Sequence, residues 1–232
     1  MTSTMSKTSS ATPGVLLVLN DVAEGADDEE FNRWYQQQHV PERLAVPGFR
    51  TARRYRAVGA QPAYMAVYEC DAIEVFTSKP YLERLANPTE WTTRIMPSFR
   101  NMLRSACRET WSAGAGAGGG AFVVQCRPGQ GRAEAARRYV QDTLAPGLMQ
   151  SAALARMALW EADAAYTGGP SPEAMLRGGA DKSADWVLFL ESYDPARTAS
   201  VLPAQLSADQ AAVAGLLLDP WSRYQLIYAV SA

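Results

Sequence analysis

The sequence predicts an α+β protein of two tandem β-α-β-β-α-β modules that close into a barrel within one chain. Two observations carry this expectation. The order of strand-like and helix-like segments is the same in both halves. A glycine-alanine run at residues 113–120 falls near the midpoint of the 232 residues. It has no side chains to pack and reads as a linker. Two such modules packed sheet to sheet would form a pseudo-dimer with a cavity between the sheets.

The elements follow in order. Residues 14–22 are apolar and β-branched, hence a strand. Residues 27–45 are a helix whose start carries Asp27, Asp28, Glu29 and Glu30, which suit the positive end of a helix dipole. Residues 49–58 and 63–70 are strands, 71–86 a helix, and 102–111 a strand reached through 87–100. In the second half, 121–126 is a strand and 131–149 a helix. Residues 154–161 and 186–192 are strands, 195–218 is mainly helical, and 222–230 closes as a strand. Each half is the ferredoxin-like order. The chain divides into a disordered tail at 1–13, a first module at 14–112, the linker at 113–120 and a second module at 121–232.

Composition excludes several functions. The chain is 47% hydrophobic with a formal charge of −2, enough for a core and too neutral for a nucleic-acid footprint. The longest apolar runs are far short of the roughly 20 residues a membrane-spanning helix needs. Three scattered cysteines, Cys70, Cys107 and Cys126, lack C-x-x-C spacing, so that, with one histidine available, neither a disulfide framework nor a zinc site is expected. A reduced, cytoplasmic protein is expected, with no metal and no cofactor, as a monomer through its internal pseudo-dimer or as a homodimer.

The stretch Phe31 to Phe49 carries the chemistry. His39 is the only histidine and the one side chain that titrates near neutrality. Phe31, Tyr35 and His39 share a helix face at four-residue spacing, with Trp34 beside them. Pro41 is expected to end the helix just after His39, leaving the imidazole at a helix C-terminus, where its cation is favoured. On the next strand Arg54 and Arg56 share a face with Arg50, and Arg53 and Tyr55 share the other with Phe49. On the strand after it, Tyr64 and Tyr68 are expected to line the cavity. Trp91 and Arg94 could close one end of it. In the second half the position of His39 falls near Thr143, so that copy has lost the ionisable group. No G-x-S-x-G elbow or nucleotide fingerprint occurs. What remains suits cofactor-free proton transfer to and from a small substrate, with arginine or phenol holding an oxyanion.

The run W-Y-x-x-x-H-x-P and P-G-F at 34–49, followed by Arg53-Arg54-Tyr55 and residues 64–69, resembles the EthD-like members of the dimeric α+β barrel superfamily. The likeness covers residues 15 to about 108; beyond them it is one of element order. It implies that His39 is the general acid/base, with Tyr35 and Tyr68 as catalytic partners. Trp34, Arg54, Tyr55, Tyr64, Trp91 and Arg94 would then bind substrate. Relatives include cofactor-free decarboxylases, dehydratases, cyclases and isomerases, and oxygenases of which some bind haem. The expectation is a cofactor-independent lyase or isomerase of an aromatic or polyketide-like carbonyl compound. A monooxygenase or haem-linked oxygenase and a non-catalytic binding protein are the alternatives.

Overall fold

In a computed structural model the described residues are 12–167, 172–178 and 181–232. The tail expected at 1–13 lies outside them except for its last two residues. The chain opens with β1 (Gly14–Val22). It continues through α1 (Asp28–Trp34), a π-helical turn (Tyr35–His39) and α2 (Val40–Leu44). β2 (Phe49–Ala57), β3 (Tyr64–Cys70), α3 (Lys79–Ala86), α4 (Glu90–Ile95) and β4 (Phe99–Gly114) complete the first half. The second half runs through β5 (Gly120–Pro128), α5 (Ala133–Arg138), a π turn (Tyr139–Leu144), α6 (Ala145–Ser151) and β6 (Leu154–Ala162). Then come α7 (Ala164–Thr167), α8 (Pro172–Arg177), β7 (Trp186–Ser192), α9 (Pro195–Gln205), α10 (Ala208–Ala214), β8 (Leu216–Leu218) and β9 (Ser222–Ser231).

Eight strands form a closed antiparallel ring in the order β4-β1-β3-β2-β9-β5-β7-β6, and β8 extends the edge of β5. The halves therefore join edge to edge, through β2–β9 and β4–β6, rather than by sheets stacked face to face. This is why β4 outruns the expected 102–111: its far end, through Gly114, pairs with β6. Residues 113, 114 and 120 of the expected linker are strand residues. Gly118 also packs where a Cβ would sit 2.0 Å from the Ser192 carbonyl oxygen.

The strands alternate between the ring's interior and its helix-covered exterior. The interior is filled rather than hollow, as an eight-stranded barrel permits. Trp160 stacks on Phe189 at 4.3 Å between ring centres, with Met65, Val67 and Tyr55 in the same cluster. Its polar members are paired: Arg53 meets Glu69 at 2.8 Å and Glu191 at 3.3 Å, and Arg156 meets Glu69 at 3.0 Å. The expected cavity between the sheets is thus occupied by side chains. Tyr64 and Tyr68 lie on the other face, under the helices, in the core with Phe31, Trp34 and Tyr35.

Candidate functional site

The site lies between the outer face of the first-half sheet and the helix over it. Asp27 caps that helix by accepting from the Glu30 amide at 2.9 Å. Pro41 does not end it. In a regular α-helix the proline ring would meet the carbonyl four residues back, at Gln37. The chain widens instead into the π turn, where the Val40 amide donates to the Tyr35 carbonyl, and the helix resumes as α2. Such turns are common at functional sites. The helix runs past His39, so Arg43 joins Phe31, Tyr35 and His39 on the buried side.

His39 is buried with its ring centre 4.5 Å from that of Trp34 and 4.9 Å from that of Tyr35. Trp34 is fixed by donating from Nε1 to Thr92 Oγ1 at 3.3 Å. Burial, and after it the charges of Arg43, Arg54, Arg177 and Arg84, push the His39 pKa well below the usual histidine value. The imidazole is neutral near pH 7. This corrects the expectation of a cation stabilised at a helix end: no helix end is there, and the neighbours are cations.

Arg54 is fully buried on β2. Its guanidinium carbon lies 3.9 Å from the centre of the Tyr35 ring, and Nη1 donates to Asn32 Oδ1 at 3.0 Å. Among the described residues it has no carboxylate partner within ion-pair distance. Arg43 does: its Nη2 donates to both Glu173 carboxylate oxygens, at 2.7 and 2.6 Å. Tyr68 has a buried hydroxyl whose pKa is raised well above 10, first by burial and then by the neighbouring Tyr35. Burial also raises the Tyr35 pKa.

Four buried polar atoms here lack a hydrogen-bond partner: His39 Nδ1, Tyr68 Oη, Arg54 Nη2 and Arg43 Nη1. Each such atom costs about 1–3 kcal/mol if left dry. Three of the four, on His39, Tyr68 and Arg43, belong to residues lining one cavity, the arrangement a bound polar ligand would satisfy. His39, Arg43, Tyr35 and Tyr68 line a cavity of about 40 Å³ with Phe99, Met102 and Arg177. A water needs roughly 10–15 Å³ of such space. The cavity therefore takes a small molecule or one edge of a larger one. Beyond Phe99, Met102 and Arg177 lies an open groove of about 620 Å³.

The remaining sequence-predicted residues lie elsewhere. Tyr55 points into the barrel, because strand alternation turns it away from Arg54, and donates to Glu191 at 3.2 Å. Tyr64 stands farther along β3, where its hydroxyl accepts from Asn32 at 2.9 Å and donates to Asp28. Trp91 donates to Glu30 at 2.8 Å and Arg94 is exposed 4.0 Å from the same carboxylate. These two tie α4 to α1 and do not close the cavity. Arg43 and Glu173 were not among the predicted residues. Arg43 was visible as the next four-residue step after His39; Glu173, 130 positions away on α8, gave no local signal.

The second half shows the same device without the chemistry. Its π turn also precedes a proline, Pro146. Counting back from the two prolines, Phe31, Tyr35, His39 and Arg43 correspond to Ala136, Val140, Leu144 and Leu148, all buried. By this count Leu144, next to Thr143, stands where His39 does relative to the proline. The second π turn is one residue longer, and Thr143 faces solvent.

No family model matches the sequence, and no curated protein matches it. Solved structures do. An anthrone oxidase-like protein superposes with a TM-score of 0.61 at 12% identity over 95% of this chain and 93% of its own. A protein described as a monooxygenase, from Fusobacterium nucleatum, gives 0.58 at 9% identity over 95% of both chains. A heme-binding protein from Thermus thermophilus gives 0.53 at 10% identity over 94% and 92%. These likenesses show the dimeric α+β barrel fold. Among the described residues no cluster of histidine, cysteine and carboxylate side chains could hold a metal ion. No helix among them is long and apolar enough to cross a membrane.

Proposed function

We propose that the chain is a cofactor-independent oxygenase. It would abstract a proton from an enolisable, electron-rich aromatic compound and let the resulting carbanion react with dioxygen. The observation that carries this reading is one cavity lined by a neutral His39 with Nδ1 unpartnered, by the buried Tyr68 hydroxyl and by Arg43 with Nη1 unpartnered. In the tautomer with hydrogen on Nε2, Nδ1 accepts the substrate's C–H proton. The electron pair delocalises onto the substrate oxygen, where Tyr68 and Arg43 Nη1, both on the cavity wall, donate hydrogen bonds. Dioxygen accepts electrons from the carbanion, a C–O bond forms, and the proton returns to give a hydroperoxide. Loss of the second hydrogen from that carbon as a proton, with cleavage of the O–O bond, releases water and leaves a ketone. The monooxygenase and anthrone oxidase-like descriptions of two fold relatives agree with this class.

A haem does not fit these residues. His39 sits between two aromatic rings on a cavity far smaller than a porphyrin, and the adjoining groove is lined by no histidine, cysteine or tyrosine. We also read the halves as copies of one ferredoxin-like module, with residues 14–112 keeping the polar site and 121–232 having replaced it with apolar side chains. The shared element order and the π turns before Pro41 and Pro146 support this.

The test is oxygen uptake by the purified, metal-free protein with anthrone as probe. One dioxygen consumed per quinone formed, lost in His39→Gln, is the expected result. Turnover of enolisable carbonyl compounds without oxygen uptake would return the reading to a lyase or isomerase. Binding without any conversion would make the chain a binding protein.

A further inference from the structure

The inner cavity and the open groove differ more than tenfold in volume, about 40 against about 620 Å³. They share three wall residues, Phe99, Met102 and Arg177. A polycyclic molecule can place only its reacting edge beside His39, and its body must lie in the groove. The groove's charges then select the substrate.

Four charged residues line it: Arg100, Arg177, Asp181 and Lys182. Arg177 and Asp181 neutralise each other at 2.6 Å. Arg100 and Lys182 have no carboxylate partner among the described residues, so the groove carries an excess of two positive charges. The Arg100 guanidinium and the Lys182 main chain are each held by hydrogen bonds to backbone. Arg100 Nη1 donates to the carbonyls of Pro97 and Phe99, at 2.7 and 2.8 Å. The Lys182 amide donates to the Met102 carbonyl at 2.9 Å, and its carbonyl accepts from the Arg104 amide at 2.8 Å. Lys182 is thereby anchored beside Met102, on the rim the groove shares with the cavity.

We infer that this groove is a subsite for a carboxylate-bearing aromatic substrate. The carboxylate would meet Lys182 and Arg100, the ring system would lie on Phe99 and Met102, and the reacting edge would enter the His39 cavity. The inference rests on the function proposed above and narrows its substrate class.

The experiment compares two probes that differ by one carboxylate, 1-hydroxy-2-naphthoate and 1-naphthol, by calorimetric titration at low ionic strength. An exposed ion pair contributes up to about 1 kcal/mol, or about fivefold in affinity. The naphthoate is expected to bind up to about fivefold more tightly per ion pair, with the margin shrinking as salt screens it. Lys182→Glu, which leaves the backbone bonds of residue 182 intact, should abolish the preference without weakening 1-naphthol. Equal binding of the two probes would overturn the inference, and so would a preference that survives in both Lys182→Glu and Arg100→Gln. Binding is read without turnover, so the two readings fail separately. Anthrone oxidation without carboxylate preference removes only the subsite. Carboxylate preference without oxygen uptake removes only the oxygenase.

Discussion

Glu173 reaches across 130 positions of sequence to take both of its hydrogen bonds from Arg43, and both side chains are buried. The pair pins α8 over the helix that carries His39. It also leaves Arg43 Nη1 unpartnered at the cavity. Burial disfavours the Arg43 cation, and Glu173 together with Tyr81 and Tyr68 more than offsets it, leaving its pKa above the usual arginine value. Removing one member strands the other charge in a dry place.

The first prediction follows from that pair. Glu173→Ala should destabilise the protein by about 3–5 kcal/mol, the range for breaking a buried ion pair from one side. The double replacement Arg43→Met with Glu173→Leu should recover most of the loss, because apolar side chains of similar volume leave no charge behind. Urea unfolding midpoints check both. A double variant as unstable as the single one would show that the pair's worth lies elsewhere than in compensating buried charge.

The second prediction concerns pH. The His39 pKa is depressed in the folded chain, first by burial and then by Arg43. Below the unfolded value of about 6.5, the unfolded chain binds a proton that the native chain refuses. Stability should therefore fall on acidification from about pH 6.5 down to the folded pKa, by at most about 1.4 kcal/mol per pH unit. Above pH 6.5 this contribution is flat. His39→Gln should remove that part of the slope. Buried Glu191, whose pKa is raised chiefly by burial, titrates in both proteins and cancels in the comparison. Parallel stability curves for the two proteins would contradict the depressed pKa.

Much of this arrangement was legible in the sequence, and the reasons for the rest are physical. The strands at 14–22, 64–70 and 186–192 were readable as short, mainly apolar runs, and 49–57, with its four arginines, from the Pro47-Gly48 turn that precedes it. The helical face of Phe31, Tyr35 and His39 was readable from four-residue spacing alone. The sheet face was not. A strand buried on both sides gives no polar alternation, so nothing in residues 64–70 says which way Tyr64 and Tyr68 point. Pro41 was misread because proline's effect depends on whether the helix can widen, and the π turn absorbs it. Glu173 lies in a stretch, 163–185, for which the sequence suggested no element. Its role exists only through a residue brought to it by the fold.

The third prediction separates function from packing by crossing two substitutions. The Tyr68 hydroxyl is buried and makes no well-formed hydrogen bond, and its one polar side-chain contact is with Tyr35. Tyr68→Phe therefore gives up only that contact with Tyr35, and stability should change by less than about 1 kcal/mol. If that hydroxyl holds the substrate's oxyanion, turnover should fall by about 10²-fold. Leu144, which in the second half stands where His39 does relative to the proline, is buried among apolar side chains. Leu144→Ala should cost about 2–5 kcal/mol through the cavity it leaves. It should not alter turnover per folded molecule, since no polar group of the site is there. Oxygen uptake and unfolding midpoints on the same preparations give all four values. Tyr68→Phe with full activity, or Leu144→Ala with lost activity at matched folded fraction, would mean that the reacting site has been placed in the wrong half of the barrel.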